Sequence, residues 1–234
     1  MKKMIATYAL LMVLSMIFVS CEHKELCYSH PHSAKVSVVF DWSQMPAAYA
    51  PGGMRVIFYP RNGGEEIVRD FVGKKGGCVE IPSGVYDVVC FNNDTQRVKY
   101  NGDDGFSSIA ATTGVAQVGD VKAFRTPDYL CGGRMVAVEV EVKIGCEQII
   151  ELPVTPMVCR YTYSVRGVKN LQNFSECVAV QRLMCSEYSV GGDREIQESR
   201  ADICFAMERS GDAITGSCYT FGAADCDVYK TILY

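Results

Sequence analysis

Hydrophobic and polar residues alternate along much of the chain after residue 35. In the segment 35–42, the side chains of Val36, Val38, Phe40 and Trp42 fall on one face, as a half-buried β-strand requires. Shorter runs bounded by glycine, proline or asparagine predict further strands at 54–59, 65–72, 78–81 and 85–91. The sequence 82–84, Pro-Ser-Gly, predicts a hairpin turn between the last two of these strands.

The second half of the chain continues the same pattern. Its strongest alternation runs from 135 to 144, with Val136, Val138, Val140 and Val142 on one face, and 147–152 is its predicted hairpin partner. The stretch 101–127 is less regular, and 169–176 is the best candidate for a short helix. Further strands are predicted at 157–168, 177–184, 202–207, 214–221 and 228–234. Short strands with turn signals roughly every ten residues predict all-β sandwiches.

The N-terminus has a different pattern. Lysines at positions 2 and 3 precede a segment without charge up to residue 20, and polar residues follow from Glu22. A span of roughly 20 apolar residues would also suit an uncleaved membrane anchor. Thr7, Ser15 and the ending in a small residue plus cysteine favour a signal peptide over residues 1–20.

The segment 18–21, Phe-Val-Ser-Cys, resembles the lipobox of bacterial lipoproteins, although Phe18 stands where that motif usually has leucine. The resemblance implies that Cys21 is lipidated: its thiol receives a diacylglyceryl group, and Cys21 becomes the new N-terminus. Each buried methylene adds about 0.8 kcal/mol of membrane affinity, so several acyl chains anchor a protein stably. Residues 21–34, which hold all three histidines, are predicted to form a flexible tether.

Charge and motifs exclude several functions. Removing residues 1–20 takes away two lysines and leaves 21 basic against 27 acidic residues, a net charge of −6. An acidic chain repels phosphate backbones, so no nucleic acid partner is predicted. The sequence has no glycine-rich phosphate loop before a helix, and neither a nucleotide nor any other cofactor is predicted.

No catalytic or metal-binding residues are predicted. The sequence lacks a G-x-S-x-G motif, and its histidines lie in the predicted tether, so Ser/His and zinc hydrolase chemistry are not expected. Adjacent carboxylates such as Glu65 and Glu66 point to opposite faces of a strand, which does not suit a glycosidase pair. The segment 101–105, Asn-Gly-Asp-Asp-Gly, reads as a solvated turn more than as a calcium loop.

The chain has twelve cysteines, and eleven remain if Cys21 carries lipid. No two are spaced as C-x-x-C. Five lie in apolar runs and are predicted to be small buried hydrophobic residues, although disulfides stay possible in an exported protein: Cys78, Cys90, Cys159, Cys177 and Cys204. The 13 tyrosines suit either core packing or, where exposed, recognition of carbohydrate or protein.

Several segments together resemble a family of uncharacterised lipoproteins of anaerobic Gram-negative gut bacteria, similar to fimbrillin-accessory and fimbrial anchor lipoproteins. Besides the lipobox and the strand that ends at Trp42, they are 53–60, 81–88, 91–95, 161–163 and 220–222. The resemblance implies two transthyretin-like β-sandwich domains in tandem, and the prolines at 153 and 156 suggest the boundary: 35–154 and 155–234. Relatives usually continue through further strands after 222, so the second domain is expected to be incomplete at Tyr234.

The resemblance also implies a function. It predicts a non-enzymatic protein of the outer membrane, held by the lipid on Cys21 and exposed at the cell surface. Such a protein would anchor or assist fimbriae through contacts with pilin-type subunits, using strand exchange at open sheet edges. The alternative is a surface lipoprotein that binds a glycan or a host protein through exposed aromatic residues.

Overall fold

Strands follow one another along almost the whole described chain. The structure is a computed structural model and describes residues 33–142, 147–173, 176–225 and 230–234. The strands are β1 (Ser33–Asp41), β2 (Gly53–Pro60), β3 (Ile67–Val72), β4 (Gly77–Pro82), β5 (Gly84–Asn92), β6 (Val98–Asn101), β7 (Ala110–Thr113), β8 (Val115–Val118), β9 (Val121–Arg125), β10 (Cys131–Val140), β11 (Gln148–Pro153), β12 (Thr155–Pro156), β13 (Cys159–Arg166), β14 (Glu176–Cys185), β15 (Glu187–Ser189), β16 (Arg194–Glu195), β17 (Arg200–Ser210), β18 (Ala213–Thr220) and β19 (Thr231–Leu233).

The predicted all-β class is confirmed. Within the described ranges, helical structure is limited to one 3-10 turn, Leu171–Asn173, inside the segment 169–176, which is the best helix candidate in the sequence. The strands predicted in both halves are present with ends shifted by a few residues. The region 98–125, where the sequence pattern is weak, forms β6 to β9.

Two sheets that face each other enclose the first core. A three-stranded sheet of order β11-β1-β4 packs against a five-stranded sheet of order β12-β10-β5-β2-β3. Val36, Val38 and Phe40 of β1 are buried in the core between them, as predicted, and Trp42 lies half-buried beside that core. Alternation therefore assigned the inward face of β1 correctly.

The two predicted hairpins are wrong. The turn 82–84 joins β4 to β5, but β4 pairs with β1, whereas β5 pairs with β2 and β10. The strand β11 pairs in parallel with β1 and not with β10. Both connections pass from one sheet to the facing one. The predictions failed because period-two patterning specifies the buried face of a strand but not its hydrogen-bonded neighbour.

A β-bulge interrupts β10. The register of β10 against β5 shifts between Met135 and Val138, and Ala137 has a positive φ of 55°. The predicted common face is wrong in part: Val138 and Val140 are buried, but Val136, before the register shift, is 53% exposed, and Val142, beyond the end of β10, is 49% exposed. The extra residue of a bulge reverses the inside-outside alternation beyond it.

A third layer covers the outer face of the five-stranded sheet. The four-stranded sheet of order β16-β15-β7-β6 contributes Val98, Ala111 and Tyr188 to a core that also holds Ile57 and Phe91 of the five-stranded sheet. Val88, Val89, Cys90 and Phe91 are consecutive and all buried. The sheet that contains β2 and β5 is therefore the middle of three layers.

The largest sheet has seven strands. Its main path is β13-β18-β17-β14-β19, and the β8–β9 hairpin joins it where β9 pairs in parallel with β17. The hairpin buries Val118 and Ala123 against Val180 and Cys204 on one face. Strands β7 and β9 thus pair with strands that follow residue 155. The predicted division into transthyretin-like domains at 35–154 and 155–234 stays a prediction.

Candidate functional site

The predicted lipidation site lies outside the described residues. This holds for Cys21, the signal peptide 1–20 and the three histidines, and lipidation of Cys21 stays a prediction. The predicted tether 21–34 overlaps β1 by Ser33 and Ala34. In the part of the chain that the structure describes, there is no helix with the length and apolar character needed to cross a membrane.

The described cysteines are free thiols. Cys90 and Cys204 are buried, as predicted. Cys78 and Cys159 are exposed and Cys177 is half-buried, so the prediction of burial is wrong for these three. Cys78 alternates with the buried Val79 and Ile81 and so lies on the outer face of β4. Cys159 and Cys177 share the inward face of Tyr161 and Ala179, but they lie at or next to the first residue of their strands, where the core does not cover them fully.

The thiols are poorly suited to chemistry. Burial raises the pKa of Cys131 to about 12 and that of Cys218 to about 11. At the exposed Cys78, a hydrogen bond to the Glu147 carboxylate (2.7 Å) raises the thiol pKa. Thiols held in the protonated form are weak nucleophiles and weak metal ligands. No cluster of three or more His, Cys, Asp or Glu residues that could hold a metal ion occurs within the described ranges.

The carboxylates noted in the sequence are exposed and lie outside the strands. Glu65 and Glu66 precede β3, and Asp103 and Asp104 lie in the turn after β6. Ser108 fastens that turn by donating its hydroxyl to the Gly102 carbonyl oxygen (2.7 Å). This arrangement agrees with a solvated turn.

The strand β13 forms one edge of the seven-stranded sheet. All eight of its residues pair with β18 without a register shift, from Cys159 opposite Thr220 to Arg166 opposite Ala213. Its other edge has no strand partner among the described residues. It is also the longest of the strands that lie at a sheet edge there. A long, regular edge presents a row of backbone donors and acceptors to an incoming strand.

Side chains on β13 hold the strand in place. Tyr161 and Tyr163 point towards a core that contains Phe205 and Met207. The ring of Tyr163 stacks on that of Phe205, with 4.9 Å between centroids, and its hydroxyl donates to the Gln181 amide oxygen (2.9 Å). These contacts fix the backbone of β13 in an extended conformation without a partner strand on its open edge.

The edge strand β3 is a useful comparison. It has six residues, and its middle holds Arg69 and Asp70. Asp70 accepts two hydrogen bonds of 2.8 Å from Arg55, which fixes a charged pair beside this edge. On β13 the charged residues are at positions 160 and 166, and the five residues between them are uncharged. Charges within an edge discourage strand addition, so β13 is the better candidate.

A row of three tyrosines borders a separate cleft. The ring centroids of Tyr49 and Tyr129 are 4.5 Å apart, and those of Tyr129 and Tyr219 are 5.5 Å apart. All three side chains are partly exposed. The cleft has a volume of about 290 Å³ and is lined by Tyr49, Asn92, Asp94, Thr95, Gln96, Asp128 and Tyr129. No local motif in the sequence marks this row, because neighbouring members are 80 and 90 residues apart along the chain.

Hydrogen bonds fix the walls of this tyrosine cleft. Asn92 is only 1% exposed, and its amide donates to Asp94 (2.8 Å) and to the Tyr129 carbonyl oxygen (3.1 Å). Asp94 also accepts the Gly52 N–H at 2.7 Å. Asp128 accepts the N–H groups of Gln96 (2.7 Å) and the next residue (2.6 Å). Three chain segments are thereby joined around one opening.

Comparison with known proteins confirms the resemblance seen in the sequence. Residues 20–206 match the family described as "Domain of unknown function (DUF5119)". A Bacteroides ovatus protein named "Putative fimbrium anchoring subunit Fim4B" is 26% identical over 216 residues, which are 89% of this chain and 63% of that protein. The chain thus spans less than two thirds of the length of this relative.

Solved structures share the fold. A crystal structure described as a "putative adhesin" from Bacteroides ovatus superposes with a TM-score of 0.70 at 23% identity, covering 89% of this chain and 73% of that one. The fimbrial anchor protein Mfa2 from Porphyromonas gingivalis superposes with a TM-score of 0.50 at 12% identity, covering 86% and 77%. With most of its length matched by one family, the chain belongs to the DUF5119 family.

Proposed function

We propose that this protein is a lipid-anchored cell-surface protein that anchors fimbria-like polymers or assists their assembly, through contacts with pilin-type subunits. The observation that carries the proposal is the open, uncharged centre of β13, which suits the addition of a strand from a partner. The names of the relatives, a fimbrium anchoring subunit and a fimbrial anchor, support it. Lipid on Cys21 would hold the protein in the outer membrane.

The membrane part of the proposal is tested by Cys21→Ser. Without the thiol there is no acceptor for lipid, so we expect the variant to leave the detergent phase of a Triton X-114 partition and the N-terminal peptide to lose its lipid mass. Cys27→Ser, six residues further along the chain, is the matched control and keeps both properties. Equal partition of the two variants would contradict lipidation at Cys21.

The partner contact is tested by proline substitutions on β13. In an antiparallel ladder, successive residues point their N–H groups alternately to the two neighbouring strands. Thr162 and Val165 have exposed side chains and lie three positions apart, so Thr162→Pro and Val165→Pro remove donors from opposite edges. We expect the variant with near-native thermal stability to lose capture of pilin-type subunits from intact cells, and the other to unfold at lower temperature.

The matched control is Thr162→Ala, which keeps the backbone donor and is expected to capture subunits normally. Hydrogen exchange gives a second measurement, in which the amides of 159–166 become protected in the captured complex. If the stable proline variant captures as much subunit as the unsubstituted protein, or β13 gains no protection, β13 is not the contact strand.

A further inference from the structure

The tyrosine cleft combines two kinds of surface. The rings of Tyr49 and Tyr129 give it an apolar side that is partly open to solvent. Asp94, Gln96 and Asp128 give it a side rich in hydrogen-bonding groups. A pyranose ring has the same division, with a face of C–H groups and an equator of hydroxyls. Aromatic rings accept such an apolar face, and carboxylates and amides bind the hydroxyls.

The polar side has capacity left for a ligand. Asp94 is exposed, and each of its two oxygens accepts one hydrogen bond from the protein, from Gly52 and from Asn92. A carboxylate oxygen can accept a second bond. Gln96 is exposed, and its side-chain amide makes no hydrogen bond to another described residue. This amide can both donate to and accept from a hydroxyl.

The charge of the cleft restricts the ligand. Its lining contains two carboxylates, Asp94 and Asp128, and no lysine or arginine. Arg97 lies outside the lining, with its Nε 4.0 Å from an Asp128 oxygen. An anionic sugar would meet the negative charge of Asp94 and that of Asp128, which Arg97 offsets only in part at this distance, so a neutral sugar is favoured. The volume of about 290 Å³ is at the small end of ligand sites, which begin at about 300 Å³, and suits the terminal part of an oligosaccharide.

The cleft is also organised in advance. The buried Asn92 and the carboxylates of Asp94 and Asp128 join the segments around residues 52, 92–97 and 128–131. Fixed walls reduce the ordering cost of binding. We propose that this cleft between Tyr49 and Tyr129 binds the end of a neutral oligosaccharide, with the tyrosine rings against its apolar face and Asp94 and Gln96 on its hydroxyls. This inference does not depend on β13 or on a fimbrial partner.

The test uses the full chain in mild detergent on an array of neutral, uronate-containing and sialylated oligosaccharides. We expect binding to neutral members, followed by calorimetry on the tightest of them. Tyr49→Ala removes one ring of the stacking surface and is expected to weaken binding about threefold to tenfold, in the range of one lost aromatic contact. Gln96→Ala is expected to weaken it about fivefold to tenfold, because the amide contributes a hydrogen bond.

Tyr234→Ala is the matched control, since Tyr234 is an exposed tyrosine outside the cleft, and it should bind as the unsubstituted protein does. If Tyr49→Ala is unstable, Gln96→Ala still tests the proposal. The Gln96 side chain is exposed, and the substitution keeps the hydrogen bond from the residue 96 backbone N–H to the Asp128 carboxylate. The proposal is overturned if no neutral oligosaccharide binds, if acidic members bind more tightly, or if both cleft variants bind normally.

Discussion

At the scale of single residues, the bulge in β10 carries a strained alanine. Ala137 has a φ of 55°, a left-handed conformation that costs a non-glycine residue about 1–2 kcal/mol. Asp87 stabilises the bulge by accepting the Ala137 N–H (2.9 Å), and it also accepts from Arg61 Nε (2.8 Å). Burial alone would raise the pKa of Asp87, but these hydrogen bonds and the Arg61 charge outweigh it and lower that pKa below its usual range.

We expect Ala137→Gly to stabilise the protein by about 0.5–1 kcal/mol, because glycine relieves the strain at some cost in chain entropy. Urea unfolding measures the change. Ala206→Gly is the control, an exposed position of β17 without a positive φ, where glycine should destabilise by about 0.5–1 kcal/mol. Equal losses in the two variants would mean that the φ of Ala137 stores no strain.

At the scale of elements, the sequence predicts strands better than it predicts their neighbours. Strands β1 and β5 were found because period-two alternation, or a continuous apolar run, follows directly from which faces are buried. The partners of β4 and β11 were missed because an arch between sheets and a hairpin within one sheet use the same turn residues. Strand β7 was missed because its four residues, Ala-Ala-Thr-Thr, are all buried and do not alternate.

The candidate sites show the same contrast between what local sequence predicts and what depends on the folded chain. An open sheet edge could be expected from the family resemblance, but its location on β13 depends on pairing that no local pattern encodes. The tyrosine cleft could be expected only as a type of surface, since Tyr49, Tyr129 and Tyr219 come from separate elements. Contacts of this kind are made by the folded chain and leave no spacing that can be read from the sequence.

At the scale of the whole molecule, the middle sheet joins the outer layers. Leu130 is fully buried in the core between the five-stranded and four-stranded sheets, and the four-stranded sheet uses residues from both sides of β10. We therefore expect one cooperative unfolding transition for the described residues. Leu130→Ala should lower the free energy of unfolding by about 2–5 kcal/mol, because it leaves a cavity at this junction.

Two probes test whether the loss of stability in Leu130→Ala extends to both halves of the described chain. Trp42, the only tryptophan, reports by fluorescence on the first core, and hydrogen exchange of the amides at 203–207 reports on β17 in the seven-stranded sheet. Both should shift together, because β14, which pairs with β17, also places Cys185 in the core that Leu130 shares with the middle sheet. Val178→Ala, at a partly exposed position of β14, is the control and should cost less than about 1 kcal/mol. If Leu130→Ala shifts the Trp42 transition but leaves exchange in β17 unchanged, the two halves unfold separately and the shared core does not couple them.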